Sequence, residues 1–504
     1  MSRILVVGGG AAGAALAARI SEDPDREVVL LEAGRADGRF DADILDGSSV
    51  RAAMPGHPAN WSYPAHLTPE LPSTVTRGRI LGGSSAINGG YFVRPRPGDV
   101  AEWEAAGGSD WSWAAVQSVM AALENDRDFG DRPGHGDAGP VPVVRPPQTN
   151  PASRAFLDAA EDLGFPAEPD KNAVGEAGAG PVPATVVDGT RVNTALAYLA
   201  AARTRPNLAI HGGVRVLRVR VRAGRAVGVE TDVGRIDAEE VVLCAGAVGS
   251  AHLLLCSGIG PAADLRALGA DPVADLPVGT AFSDHPEISL PWRARKRIED
   301  ARERFAFPTA LNFDSSGARR LHPDGDLEIL LAVKTLGHLL TGGAASWIPH
   351  GDELHLIIGL QSPVGRGTLT LESPDPLAPP RIDYRYVEAE ADRSRMRTGV
   401  RVALAMLGAR GFARLGTRAT GPDPATVADD AALDTWVRTH LGTAAHMCGT
   451  APLGPVVDGA GRVHGIDGLR VADTSILPTV PSRGPYASAV LVGELLGRRI
   501  RDGG

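Results

Sequence analysis

Apolar positions along the chain change period several times, and each change marks an element. The β-branched run ILVV, residues 4–7, predicts a buried strand; the glycines at 8–10 break it, and the alanine-rich AAGAALAARI that follows predicts a helix. EVVLLE, residues 27–32, predicts a second strand. Much later the period becomes two. ELHLIIGL (353–360) and TLTLES (368–373) alternate as half-buried strands do, within a stretch, 286–435, that is rich in charge and proline. Residues 77–91, RGRILGGSSAINGGY, follow neither period, although Ile80, Leu81 and Ile87 mark the run as packed. Residues 126–150 carry so much proline and glycine that an extended surface connection is predicted there. The sequence has no internal repeat, and no run approaches the roughly 20 apolar residues needed to cross a bilayer.

The first strand, turn and helix carry chemistry. Gly8, Gly10 and Gly13 form a GxGxxG turn, in which a tight bend, a close backbone approach to a pyrophosphate and close packing of helix on strand each call for glycine. The helix N-terminus, with Ala12 in its first turn, then faces the phosphates. Glu32 ends the second strand 19 residues beyond Gly13, near the spacing at which an acid holds a ribose hydroxyl pair. A dinucleotide site follows, but NAD and FAD share the ADP half that this fingerprint reads.

Composition narrows the class further. Of the 504 residues, 43% are hydrophobic and 22% charged, as in ordinary globular proteins. The net charge of −9 and the lack of a Lys/Arg cluster argue against nucleic acid as a partner. Cys244, Cys256 and Cys448 form no CxxC pair, so neither a disulfide framework nor a thiolate zinc site is expected, and without a signal-like N-terminus a cytoplasmic location is. His446, in HMCGTAPLG, reads as a packed core residue, a metal ligand or a catalyst; its nearest histidine is His440, and no carboxylate nearby completes a ligand set, which disfavours metal.

Taken together, RGRILGGSSAIN (77–88), AGAVGSAHLLLCSGIG (245–260, with Ala251 where proline or serine is usual), FSDHP (282–286), GRGTLTLESPDP (365–376) and GLRVADTSILP (468–478) resemble the glucose-methanol-choline (GMC) family of FAD-dependent oxidoreductases across nearly the whole chain. The resemblance implies a mixed α/β fold: a Rossmann-like FAD-binding domain in three pieces (1–100, 195–285 and 436–504), interleaved with a substrate domain (101–194 and 286–435) whose antiparallel sheet roofs the flavin. It implies oxidation of an alcohol CH–OH to a carbonyl by hydride transfer to flavin N5, with oxygen, a quinone or a redox carrier as acceptor. A non-redox lyase on the same fold, like a hydroxynitrile lyase, is the alternative. The stretch PTVPSRGPYASAV (478–490) is most similar to bacterial members associated with the peptide-derived cofactor mycofactocin.

By the same resemblance, HMCGTAPLG matches the segment whose leading histidine takes the substrate's hydroxyl proton, and makes His446 the general base. Glu32 is implied as the adenosine ribose ligand, Gly83, Ser84, Asn88 and Gly90 as flavin lining, Val216 as an adenine contact and Asp473 as the acid near the ribityl and phosphate groups. Ile87 stands where members with histidyl-linked flavin carry the linking histidine, so the FAD is expected to be non-covalent. His252 and His285 read as structural, and Arg79 as facing phosphate or solvent. Where the family usually places a second His or Asn this chain has Gly484, and of the neighbours Ser482, Arg483 and Tyr486, the hydroxyl of Tyr486 is the expected substitute.

Overall fold

The computed structural model describes residues 2–295, 298, 303–317, 322, 324–335, 339 and 353–504. Ile4, Leu5, Val6 and Val7 are all buried, as a strand covered on both faces requires. That strand, Ser2–Val7, is the centre of a five-stranded parallel sheet in the order Leu208–Gly212, Arg26–Glu32, Ser2–Val7, Glu240–Leu243, Leu469–Val471. Strands far apart in sequence therefore meet at one edge, with their C-terminal ends on the same side. Helices Ala11–Ile20 and Tyr486–Arg501 pack on each other so closely that a Cβ on Gly493 would lie 2.2 Å from the Ala12 carbonyl oxygen. The meander Val216–Arg222, Arg225–Thr231, Gly234–Asp237 sits beside the sheet.

A second sheet is antiparallel, in the order Arg418–Ala419, Pro286–Arg293, Leu354–Leu360, Leu327–Ala332, Thr309–Phe313, Ala179–Pro181, with Leu441–Thr443 also paired to Pro286–Arg293. Its register separates two faces. Ile288, Ile358, Ile329 and Leu311 lie opposite one another and are fully buried. The helix Glu390–Gly408 covers this face, its Gly399 set against Ile358. The next row along, Glu287, Gly359, Glu328 and Asn312, points to the other side and carries the sheet's polar groups into the interior. A mixed α/β protein with a Rossmann-like sheet and an antiparallel sheet results, as expected.

The segment 126–150 departs from its expected role as a surface connection. Val141–Val143 pairs with Glu124–Asp126, and Asp126, His135 and Arg145 turn inward. His135 Nδ1 lies 3.0 Å from Glu124 Oε1 and its Nε2 2.9 Å from Asp170 Oδ2; Arg145 binds Asp126 at 2.6 Å and Asp170 at 2.7 Å, and Arg94 pairs with Glu124. Proline and glycine keep regular structure here to one short strand, but they do not prevent a run with several charges from ordering through ion pairs. Glu124, Asp126 and His135 bring ligand atoms within metal-binding reach of one another, yet Arg94 and Arg145 already neutralise both carboxylates. Among the described residues no helix is long and apolar enough to cross a membrane.

The hydrogen-bonded carboxylates of Asp126, Asp170 and Glu124 push the His135 pKa up to about 10. A pKa raised in the folded state gives stability that is complete below the unfolded value of about 6.5 and is lost as pH rises through about 10. His135→Gln is expected to cost about 3 kcal/mol at pH 6 by leaving buried carboxylates short of a partner. Denaturant titrations at pH 6, 8 and 10 should show the parent approaching the variant as pH rises.

Candidate active site

The two glycine runs meet. Gly82 N–H donates to the Gly9 carbonyl oxygen at 2.7 Å, and Gly83, at φ +54°, lies so close that a Cβ there would fall 2.6 Å from Gly10 Cα. Gly8, at φ +103°, turns the chain over the Cys244 carbonyl, which a Cβ would approach to 2.5 Å. The helix Ala11–Ile20 starts at Gly10 with no side-chain cap, so its first-turn N–H groups, those of Ala12 and Gly13 among them, have no partner within the helix. The Glu32 carboxylate accepts Gly9 N–H at 3.0 Å and Gly34 N–H at 2.8 Å, and burial pushes its pKa up to about 7. Val214 N–H donates to the Glu32 carbonyl at 3.1 Å, which brings Val216 to the end of the same strand. Uncapped amides, a cradle that side chains would fill and an acid at the strand end suit the pyrophosphate and ribose of FAD.

Other candidates work partly within the protein. Ser84 is exposed and its Oγ accepts Gly78 N–H at 3.1 Å; Asn88 Oδ1 accepts Gly90 N–H at 2.9 Å, shaping the end of the loop. Asp473 caps the turn Thr474–Ile476: Oδ1 accepts from Ser475 N and Oγ, and Oδ2 from Gly246 N and Ser250 Oγ. Four donors fill the lone pairs of a carboxylate, so this group ties the turn to the helix Gly246–Cys256 rather than offering a free oxygen. Arg79 stacks over Trp61, 4.5 Å from the ring centre. Ile87 packs in an apolar cluster with Ile44, Ile80 and Ala86.

His446 is placed by a backbone bridge. Ser283 and Cys448 exchange N–H···O bonds of 3.0 and 2.9 Å, so FSDHP and HMCG lie side by side. Asp284 Oδ1 accepts the backbone N–H of His446 at 2.6 Å and that of His285 at 2.7 Å, and Ala445 takes φ +59° to turn the imidazole inward. The rings of His285 and His446 then meet edge to face, Nδ1 to Nδ1 at 3.0 Å. His285 Nε2 lies 3.0 Å from the Pro481 carbonyl oxygen. A carbonyl only accepts, so His285 Nε2 carries its proton, His285 Nδ1 accepts, and His446 Nδ1 donates to it. His446 Nε2 is left with its lone pair free. Burial is the main reason both rings stay neutral: it pushes His285 down to about 3 and His446 well below the ordinary value. His285, expected to be merely structural, thus orients the candidate base. Its place next to Asp284 in FSDHP was the available signal, but the distance to His446 was not.

Tyr486 and His446 have different ring partners. Tyr486 packs edge to face on Phe92, 5.0 Å between centres, and its hydroxyl is buried beside Ser85 and Thr185 without a hydrogen bond. The expected pairing of Tyr486 with His446 is therefore not the arrangement formed. The helix that begins at Tyr486 turns this side chain back onto the loop 77–91. Gly484 does stand at His446, a Cβ on it falling 3.3 Å from His446 Cε1, but the ring that faces it is that of Tyr91.

A parallel sheet with a glycine cradle at its phosphate end, and a buried neutral imidazole beneath an antiparallel roof, define a dinucleotide-dependent oxidoreductase. The chain belongs to the GMC oxidoreductase family, whose N-terminal model matches residues 2–287 and whose C-terminal model matches 363–493. It is 39% identical to an uncharacterised GMC-type oxidoreductase from the thcA 5′ region of Rhodococcus erythropolis, over 97% of this chain and 96% of that one. It is 34% identical to an oxygen-dependent choline dehydrogenase of Serratia proteamaculans, over 99% and 95%. Among solved structures, pyridoxine 4-oxidase from Mesorbium loti superposes with a TM-score of 0.89 at 28% identity, covering 100% of this chain and 99% of that one. Aspergillus oryzae formate oxidase gives 0.89 at 23% identity, covering 100% and 98%, a likeness of fold. The protein is an FAD-dependent oxidoreductase acting on alcohols, and the lyase alternative is not favoured.

Purified protein should release intact FAD into the supernatant on acid precipitation, since the apolar Ile87 cannot form the linkage. Gly83→Ala, which forces a Cβ against Gly10, is expected to yield protein that absorbs at 280 nm but has lost most of its flavin absorbance.

Proposed function

We propose that His446 Nε2 is the general base of this oxidation, an assignment carried by the chain Pro481 carbonyl, His285, His446, which leaves that nitrogen free to accept a proton. Bound FAD, held by the Gly8–Gly13 turn, the Gly82–Gly83 loop and Glu32, supplies the hydride acceptor. The protein's own part is to take the hydroxyl proton at His446 Nε2 as the hydride leaves the same substrate's carbon, so that one alcohol becomes one carbonyl compound. The Asp284 carboxylate accepts the backbone N–H groups of both histidines and so fixes the segment that carries the base.

The substrate, in this reading, is an alcohol with a cationic group. Glu287 and Glu328 flank Gly359 on the interior face of the antiparallel sheet, and among the described residues no side chain pairs with Glu287. The 34% identical relative named for choline, a cationic alcohol, supports the same class. Oxygen, a quinone or a redox carrier completes the cycle as acceptor, and the similarity of 478–490 to mycofactocin-associated enzymes favours a carrier.

Under anaerobic stopped flow, His446→Ala should keep its FAD and reduce it at least about 10²-fold more slowly, and His285→Ala about tenfold more slowly. Near-parental reduction in His446→Ala removes it from the mechanism.

Burial, with Glu328 and Asp284 nearby, pushes the Glu287 pKa up to about 8. The carboxylate forms as pH rises through that value, so the KM for choline should fall between pH 7 and 9 while that for benzyl alcohol does not, and Glu287→Gln should abolish the difference. Equal pH profiles for the two alcohols would refute the cationic class.

A further inference from the structure

Gly484 leaves the position beside His446 without a side chain, yet that space is filled. A Cβ at Gly484 would lie 3.1 Å from Tyr91 Cδ1, 3.2 Å from Tyr91 Cε1 and 3.3 Å from His446 Cε1, so the Tyr91 ring edge and the imidazole close on the same point from two sides. The backbone around Tyr91 is held rigidly: Phe92 N–H donates to the Pro183 carbonyl at 2.8 Å, and Thr185 N–H to that of Gly90 at 2.9 Å. Its hydroxyl donates to Glu328 Oε2 at 2.7 Å, and Asn312 Nδ2 donates to the same oxygen at 3.0 Å. Asn312 Oδ1 in turn accepts from the buried Lys171, which is paired with Glu168 at 2.7 Å. The ring is half-buried, which leaves part of it on the interior space that His446 also lines.

We propose that Tyr91, supplied by the loop 77–91, is the second active-site residue of this enzyme, filling the place beside His446 that Gly484 vacates and fixing the bound alcohol there. Its ring is a wall that positions the reacting carbon next to His446 Nε2. Its hydroxyl, whose proton is committed to Glu328, anchors that wall to the antiparallel sheet. Gly484 and Tyr91 are thus coupled: a side chain at 484 would crowd the ring at 91, which would have to give by a few tenths of an ångström. The site has moved its second group from the turn before the last helix to the loop under the first one.

The proposal rests on His446 being the base, so the parent and His446→Ala are measured alongside with whichever of choline, pyridoxine and benzyl alcohol reduces the parent fastest. Tyr91→Phe keeps the ring and deletes the hydroxyl; its KM for that alcohol should rise about tenfold, with a smaller change in limiting flavin reduction and a small fall in melting temperature, because Glu328 loses one of its donors. Gly484→Asn should lower both melting temperature and flavin reduction, because its Cβ meets Tyr91. Adding Tyr91→Ala to Gly484→Asn should restore melting temperature and raise flavin reduction above either single variant. A Tyr91→Phe enzyme with parental KM and rate overturns the role of the hydroxyl. A double variant that melts no higher than Gly484→Asn overturns the shared space. Loss of the His446 assignment shows separately, in His446→Ala reducing its flavin at the parental rate.

Discussion

The 3.0 Å contact between the two histidine Nδ1 atoms organises the chemistry of this protein. A neutral imidazole has one proton and one lone pair, so whatever its first nitrogen does decides what its second can do. Here the decision is made three groups away, by a proline carbonyl that can only accept. The contact exists because Ser283 and Cys448 exchange backbone hydrogen bonds and Asp284 accepts from both histidine amides. These are short-range, directional bonds inside a buried region, where a misplaced polar group is costly. Burial makes its own contribution by keeping both rings neutral at the pH where a base is needed.

The cofactor end obeys a different constraint, that of close approach. Gly8, Gly13 and Gly83 bring two loops and a helix terminus within distances no Cβ permits, and the N–H of Gly82 locks one loop to the other. Amides left without helical partners then face the gap, where the negative phosphates of FAD are best accommodated. Glycine is required for space here more than for flexibility, and each of these positions is rigid in the folded chain.

Between the two ends lies a row of polar groups, Glu287, Glu328, Asn312 and the hydroxyl of Tyr91, on a sheet face that continues as Ile357, Leu330 and Ala310. Gly359 separates the two acids, and the Gln361 side-chain amide lies over it. Other buried charges, such as those around His135, are matched by Arg94 and Arg145. Among the described residues Glu287 has no side-chain partner, and it lies with Glu328, which accepts from Tyr91 and Asn312, on the face turned towards the interior.

Local pattern by itself determined the strand, turn and helix at the N-terminus, the dinucleotide fingerprint with Glu32, and the existence of the later strands, because each depends on residues a few positions apart; Thr368–Thr370 is half-buried as its alternation predicts, whereas Leu354–Leu360 is buried on both faces. The family motifs carried the fold class, the cofactor and His446 for the same reason. What they could not carry was pairing between distant segments. His285 and His446 are 161 positions apart, and Tyr91 and Gly484 are 393 apart; only the tertiary structure brought them together. Tyr486, two positions from Gly484 along the chain, turned onto Phe92 because helix geometry, not sequence distance, sets where its side chain points. The order of 126–150 was hidden likewise, since it comes from ion pairs of His135 and Arg145 with Glu124 and Asp170, two residues outside the segment. Sequence spacing records what a residue is and what its local backbone does. Which lone pair faces a substrate is decided by partners that folding alone delivers.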